Sequence, residues 1–226
     1  MNQESDTAGP ASKRSRILLV DDHPLVRERL AEIINREKDL VICGDAEDRH
    51  QALQVAKACR PDLVIVDITL KSSDGVELIR DIRARWPALL TLVVSMHDES
   101  LYAERALRAG ARGYITKQEA TRNILSAIRR VLSGQIYLND RIASRILSRL
   151  ATPARLTGST PAELLADREL QVFELTGRGL NTRQIAARLH LGAKTVETYR
   201  ARIREKLNVR DPDDLLSLAI SWTHRQ

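Results

Sequence analysis

Between positions 17 and 133, short apolar runs alternate with stretches whose apolar residues recur at helical spacing. The runs are ILLV (17–20), LVICG (40–44), LVIV (63–66), TLVVS (91–95) and GYIT (113–116), the length and Val/Ile-rich composition of buried strands. Between them, 25–35 carries Leu25, Val26, Leu30, Ile33 and Ile34 on one stripe. The stretch 76–86 does the same with Val76, Leu78, Ile79 and Ile82, and 120–132 with Ile124, Leu125, Ile128, Val131 and Leu132. Five strands alternating with five helices predict an α/β unit: a doubly wound five-stranded parallel sheet, covered on both faces through right-handed crossovers. Ligands of such sheets sit outside the carboxyl ends of the strands.

The pattern changes after Tyr137-Leu138. A connecting helix is expected over 140–150, from Ile142, Ile146, Leu147 and Leu150, and TPARLTGSTPAE (152–163) reads as a tether. Everything beyond is helical: 167–176, 182–189, 193–208 and 211–223, with Gly177, Gly179, Gly192 and Pro212 marking breaks or starts. The expected organisation is a disordered tail (1–15), an α/β domain (16–134), a linker helix and tether (135–163) and an all-α domain (164–226).

Composition excludes several classes. With 43% apolar residues in 226, a core is expected and global disorder is not. No apolar run approaches a membrane span, and MNQESDTAGPASKRSR lacks the apolar core of a secretory signal, so the expected location is the cytoplasm. The two cysteines, Cys43 and Cys59, have no metal-like spacing and read as reduced core thiols. The net charge of +6 is spread along the chain, but within 182–206 seven basic residues (Arg183, Arg188, Lys194, Arg200, Arg202, Arg204, Lys206) face only Glu197 and Glu205. Such a local surplus is the footprint an acidic polymer needs.

The strand ends carry the chemistry. The first runs into Asp21-Asp22, the third into Asp67, the fourth into Ser95, and the fifth is followed by Lys117. Singly, a strand-end Asp is a turn former or helix cap, Ser a cap and Lys a solvated group. Together they bring three carboxylates, a hydroxyl and an ammonium to one rim of the sheet. Carboxylates this close repel unless a cation sits among them, and Mg²⁺ with retained waters suits two or three of them. Bound there, the ion orients a phosphoryl donor, and Asp67 is the candidate nucleophile, forming an aspartyl phosphate while Lys117 and Ser95 hold phosphoryl oxygens. A haloacid-dehalogenase-type phosphatase is disfavoured, because Thr69 stands where that mechanism needs a second Asp as general acid and base.

On ILLVDDHP, LVIVDITL, VVSMHD and GARGYITK, residues 16–134 resemble the CheY-like receiver domain of bacterial two-component response regulators. The resemblance implies that Asp67 accepts phosphate from a sensor histidine kinase. It also implies that Asp22 and Asp67 ligate Mg²⁺ directly, Asp21 through water and Thr69 through its carbonyl. Tyr114 falls at the family's aromatic switch position, where the ring turns inward as Ser95 moves toward the phosphoryl group. The chain departs from the pattern at Lys71 and Gln118, where many receivers have proline.

In the C-terminal region, a short turn at Leu191-Gly192 joins 182–189 to 193–208, the spacing of a helix-turn-helix. Core positions are Leu170, Val172, Phe173, Leu175, Ile185, Ala186, Leu189, Val196, Ile203 and Leu207. The second helix of such a pair lies in the DNA major groove. The run LADRELQVFELTGRGLNTRQIAARLHLGAKTVETYRARIREKLNV resembles the LuxR-type helix-turn-helix, departing at Ala166 (usually Thr) and Gly192 (commonly Ser). By that resemblance Glu197, Thr198 and Ala201 face bases. Lys194, Thr195, Tyr199, Arg200, Arg204, Thr182 and Arg183 contact mainly phosphates, with Lys206 a further DNA-binding candidate, and 211–223 supports dimerisation.

Over nearly its whole length the chain thus resembles a NarL/FixJ-type response regulator. The resemblance implies a phosphorylation-dependent, DNA-binding transcription regulator and not an enzyme, homodimeric when phosphorylated or DNA-bound, with RNA polymerase as a further partner and no membrane association. Without phosphate, the receiver is expected to block the recognition helix or hold the protein monomeric. The alternative is a constitutive DNA-binding regulator whose receiver serves only as a docking module.

Overall fold

The computed structural model describes residues 14–70, 74–96, 100–151, 161–189 and 191–224. Lys71, most of the tether and residues 1–13 of the N-terminal tail lie outside the described residues; Ser15, expected in the tail, opens the first strand by pairing with Leu40.

The first domain runs β1 (Ser15–Val20), α1 (Pro24–Asn35), β2 (Leu40–Ala46), α2 (Arg49–Cys59), β3 (Leu63–Val66), α3 (Gly75–Arg85), β4 (Leu90–Ser95), α4 (Ser100–Ala109), β5 (Gly113–Thr116) and α5 (Lys117–Leu132). The strands form one parallel sheet in the order β2-β1-β3-β4-β5. Side chains alternate across it. Ile17, Leu19, Leu63, Ile65, Leu92 and Val94 pack toward Leu30, Ile34, Ile124 and Ile128 of α1 and α5. Leu18, Val20, Val64, Val66 and Val93 belong to the opposite core with residues of α2, α3 and α4.

Two element boundaries differ from the sequence pattern for identifiable reasons. β2 continues to Ala46 through a bulge: Ile17 pairs with Ile42 and Leu18 with Gly44, leaving Cys43 as the extra residue. On this edge strand Cys43 is half-buried, like Val41, Ile42 and Gly44, and not a core thiol; its Sγ lies 2.9 Å from that of Cys59, also half-buried. Burial, then Cys59, pushes the Cys43 thiol up to about 12. α5 starts three residues before its apolar stripe, because Thr116 and Glu119 form a capping box whose first helical residue is Lys117.

α6 (Asp140–Ala151) buries Ile142 but leaves Leu147 exposed. The second domain comprises α7 (Pro161–Leu164), α8 (Asp167–Gly177), α9 (Thr182–Arg188), α10 (Ala193–Lys206) and α11 (Pro212–Thr223). Its core is Leu170, Phe173, Ile185, Val196, Ile203, Leu215, Ala219 and Trp222, with the Phe173 and Trp222 rings tilted at 5.7 Å. Gly177 sits where a Cβ would meet the Ala219 carbonyl at 2.4 Å, so a side chain there would push α8 off α11. This core is continuous with the α3–α4 side of the sheet.

Candidate functional site

Strand register assembles the acidic rim. Val20 pairs with Val66, so the next residues, Asp21 and Asp67, leave the sheet side by side, with the Asp67 amide donating to the Val20 carbonyl at 2.8 Å. Ser95 pairs with Thr116 and Lys117 follows directly. Lys117 Nζ reaches Asp21 Oδ2 at 2.6 Å and Asp67 Oδ2 at 2.7 Å. Asp67 and Ser95 are buried, at 2% and 0% exposed. The Thr69 amide donates to Asp67 Oδ1 at 3.0 Å.

The electrostatics follow from burial and charge count. Burial pushes the Asp67 carboxyl above the usual range, Lys117 opposes this and Asp21 adds to it. Burial pulls the Lys117 ammonium down, but Asp67 and Asp21 together raise it above its ordinary value, so it stays charged. Ligand atoms of Asp21, Asp22, His23 and Asp67 all lie within 4.8 Å of one another. Three carboxylates against one ammonium leave a negative surplus of the size a divalent cation carries. Among the described residues none donates a hydrogen bond to Asp22 Oδ1, although His23 Nδ1 approaches to 2.9 Å. A buried carboxylate oxygen left in this state, in an oxygen-rich set, fits a hard cation.

The structure therefore brings Asp21, Asp22, Asp67, Thr69, Ser95 and Lys117 together. Tyr114 is completely buried, in the apolar cluster that holds Tyr102 and Ala106 of α4. Sequence reasoning gave no role to His23, which also lies 3.1 Å from Asp21 Oδ1, nor to Arg27, whose Nη1 donates to the Asp21 carbonyl at 2.6 Å. Gly75 is required because a Cβ there would stand 2.2 Å from the Asp67 carbonyl oxygen, where α3 starts against the strand end.

In the second domain the expected DNA-facing residues divide into two groups. Arg183, Lys194, Thr195, Glu197, Thr198 and Ala201 are exposed. Thr182, Tyr199, Arg200 and Arg204 are half-buried. Arg200 donates to Thr182 Oγ1 at 3.1 Å, Thr176 Oγ1 at 3.4 Å and the Leu180 carbonyl at 3.5 Å, and Lys206 Nζ binds Glu169 Oε2 at 2.6 Å. These two cations brace α10 against the elements beneath it. Asn181 caps α9 in a box with Gln184, while Gly192 leads into α10 with no side-chain cap. Several outward positions of α10 are exposed to solvent, and among the described residues Arg168, Gln171 and Glu174 of α8 and the Leu165 carbonyl just before it hydrogen-bond to the first domain.

The first domain matches the response regulator receiver domain over residues 17–129, and the second matches bacterial regulatory proteins of the luxR family over 163–219. The chain is a LuxR-family response regulator. Among its relatives, the transcriptional activator protein ExaE of Pseudomonas putida is 36% identical over 90% of this chain and 95% of that protein. The response regulator GacA of Pseudomonas viridiflava is 32% identical over 91% and 95%. A crystal structure of a two-component response regulator of the LuxR family from Aurantimonas sp. SI85-9A1 is 34% identical, with a TM-score of 0.58, covering 62% of this chain and all of that one. RcsB of Salmonella enterica serovar Typhimurium, bound to promoter P1flhDC in the presence of phosphomimetic BeF3-, shares the fold at 22% identity and a TM-score of 0.57, over 92% of this chain and all of that one. Like these regulators, the chain joins a receiver to a LuxR-type DNA-binding domain and acts in two-component transcription regulation. No helix among the described residues is long and apolar enough to cross a membrane.

Proposed function

We propose that Asp67 is the phospho-acceptor of this response regulator, charged by a sensor histidine kinase, and that its phosphorylation governs dimerisation and DNA binding by the second domain. The observation that carries the reading is the Lys117 ammonium bridging Asp21 and Asp67 on a buried rim. An Asp67 carboxylate oxygen bonds to phosphorus while the bond from phosphorus to the kinase's histidine nitrogen breaks, the imidazole leaving with the electron pair, and Lys117 and the Ser95 hydroxyl, at the ends of neighbouring strands, take phosphoryl oxygens. Asp22, Asp67 and the Thr69 carbonyl would hold Mg²⁺, with Asp21 acting through water; the ion would neutralise charge on the incoming phosphoryl group. Tyr114, buried beside α4, is the residue through which movement of Ser95 would reach that face.

On the DNA side, the exposed Glu197, Thr198 and Ala201 read base edges, while Lys194, Thr195 and Arg183 contact phosphates. Thr182, Tyr199, Arg200, Arg204 and Lys206 shape and brace that surface, with Arg200 and Lys206 already engaged within the domain. The open face of α10 favours a second reading, in which DNA binding is constitutive and the receiver only docks partners. One experiment separates the two. Wild-type protein should take up phosphate from a cognate kinase and Asp67→Asn should take up none, and beryllofluoride should strengthen wild-type binding to duplex DNA. Affinity indifferent to beryllofluoride would establish the constitutive reading.

A further inference from the structure

The second domain holds the loop behind Asp67 directly. Arg168 Nη2 donates to the Leu70 carbonyl at 2.8 Å, and Gln171 Nε2 donates to Thr69 Oγ1 at 3.0 Å. Arg168 Nη1 also donates to Gln171 Oε1 at 3.0 Å, so the two side chains act as one unit. Both are buried, at 6% and 1% exposed. Burial pulls the Arg168 guanidinium below its ordinary value, opposed first by Tyr199 of α10 and then by Asp22 and Asp67. Further along the same seam, Tyr102 Oη donates to Glu174 Oε2 at 3.3 Å and Arg105 Nη2 to the Leu165 carbonyl at 3.0 Å, tying α8 and its approach to α4.

Generic docking of one domain on another does not call for a buried guanidinium. Its desolvation is costly unless it is well paired, and here its fork is spent on a backbone carbonyl three residues after the acceptor. The hydrogen bonds of this seam fall on the acceptor loop and on α4, while Lys194, Thr195, Thr198 and Ala201 of α10 are exposed. The Asp67 side chain is only 1% exposed, with Lys117 Nζ on one carboxylate oxygen and the Thr69 amide of the held loop on the other, so a phosphoryl donor reaches it only if these neighbours yield.

Resting on Asp67 as the acceptor, we propose that Arg168 and Gln171 are positioning residues for phosphoryl acceptance. From the DNA-binding domain they hold the Thr69–Leu70 loop closed, so that opening of the domain seam sets how fast Asp67 is charged. Coupling between sites is reciprocal. A phosphoryl group on Asp67 that displaces the loop weakens the hold of α8, and releasing α8 exposes Asp67.

The test uses the full chain with acetyl phosphate and Mg²⁺. In the step followed, an Asp67 carboxylate oxygen forms a bond to phosphorus, and the bond from phosphorus to the acyl oxygen breaks, so that acetate departs with the electron pair. Initial rates over a range of acetyl phosphate concentrations give the maximal rate and the half-saturating concentration separately. Gln171→Ala and Arg168→Ala are each expected to raise the maximal rate by about fivefold or more, the shift in opening expected from losing hydrogen bonds to buried groups. Arg168→Lys, which keeps a donor for the Leu70 carbonyl, should stay near wild type. Hydrogen exchange of the Thr69–Leu70 segment should accelerate in Gln171→Ala, a readout that remains informative should Arg168→Ala fold poorly. Unchanged or slower rates and unchanged exchange overturn the proposal. Phosphate retained by Asp67→Asn overturns the acceptor assignment instead.

Discussion

The acceptor rim and the recognition face both concentrate charge, in opposite ways. At the rim, the half-buried Lys117 lies within hydrogen-bond distance of the buried Asp21 and Asp67, and burial together with the neighbouring charges shifts the titration of Asp67 and Lys117. On α10, Lys194, Thr195 and Thr198 stand in water along one exposed surface, and the exposed Glu197 accepts a hydrogen bond from Thr182 Oγ1. Charge in low dielectric is strong, directional and structurally binding; charge in water is weak individually and free to meet a partner. Between these extremes lie Arg200 and Lys206, which lie on the recognition helix by sequence but serve the packing of their own domain.

The largest test of this contrast is Lys117→Ala. Removing the cation leaves Asp21 and Asp67 facing each other in a buried site, and a loss of about 3–5 kcal/mol is expected in urea unfolding of the receiver. Much of it should return on adding Mg²⁺. A loss below about 1 kcal/mol would make the rim no different from a surface ion pair. An intermediate effect is expected from Arg200→Ala, which removes hydrogen bonds to Thr176, Thr182 and the Leu180 carbonyl and should cost about 1.5–3 kcal/mol. Lys194→Ala should leave stability within about 0.5 kcal/mol, yet lower the salt dependence of DNA affinity by about one unit of slope. If the two variants behave alike in both measurements, the division of α10 into bracing and contacting residues is wrong.

The smallest effect is expected where charge is fully exposed. The Arg129 hydrogen bond holds the Asp39 carboxyl below its ordinary value of 3.8. Because the folded value is the lower one, this pair contributes stability above the unfolded value and loses it as pH falls through the folded value. Arg129→Ala should therefore lower thermal stability slightly at neutral pH, where the contribution is fully present, and leave it unchanged once pH has fallen below the folded value of Asp39, a far smaller effect than that of Lys117→Ala.

Much of the rim was legible because it depends on strand ends. ILLV, LVIV, TLVVS and GYIT located four strands, and in a parallel sheet their carboxyl ends share one edge, so Asp21, Asp67, Ser95 and Lys117 had to be neighbours. The early start of α5 was also readable, since Thr116 and Glu119 spell a capping box. Gly75 was visible as a residue but not as a requirement, because the 2.2 Å approach of its missing Cβ to the Asp67 carbonyl depends on the angle at which α3 leaves the loop. The bulge at Cys43 had no local signature, and the edge position of β2 in the sheet, which leaves Cys43 half-buried beside Cys59, had none either.

The division of the basic helix lay further out of reach. Periodicity places Arg200 outward, and only the packing of α8, α9 and α10 shows the Thr176 and Thr182 hydroxyls waiting for it. The exposure of the recognition face likewise depends on how two domains meet, which no repeat in either domain encodes.

By itself, then, the sequence determined a parallel α/β domain with a converging acidic rim, followed by a basic helix-turn-helix, because strand order, helical period and motif spacing are local or nearly so. Tertiary structure alone decided that α8 of the second domain would seat Arg168 and Gln171 on the loop behind Asp67. That contact joins residues about a hundred positions apart, and it arises from the shape and unmet hydrogen bonds of two surfaces, neither of which is written in its own stretch of chain.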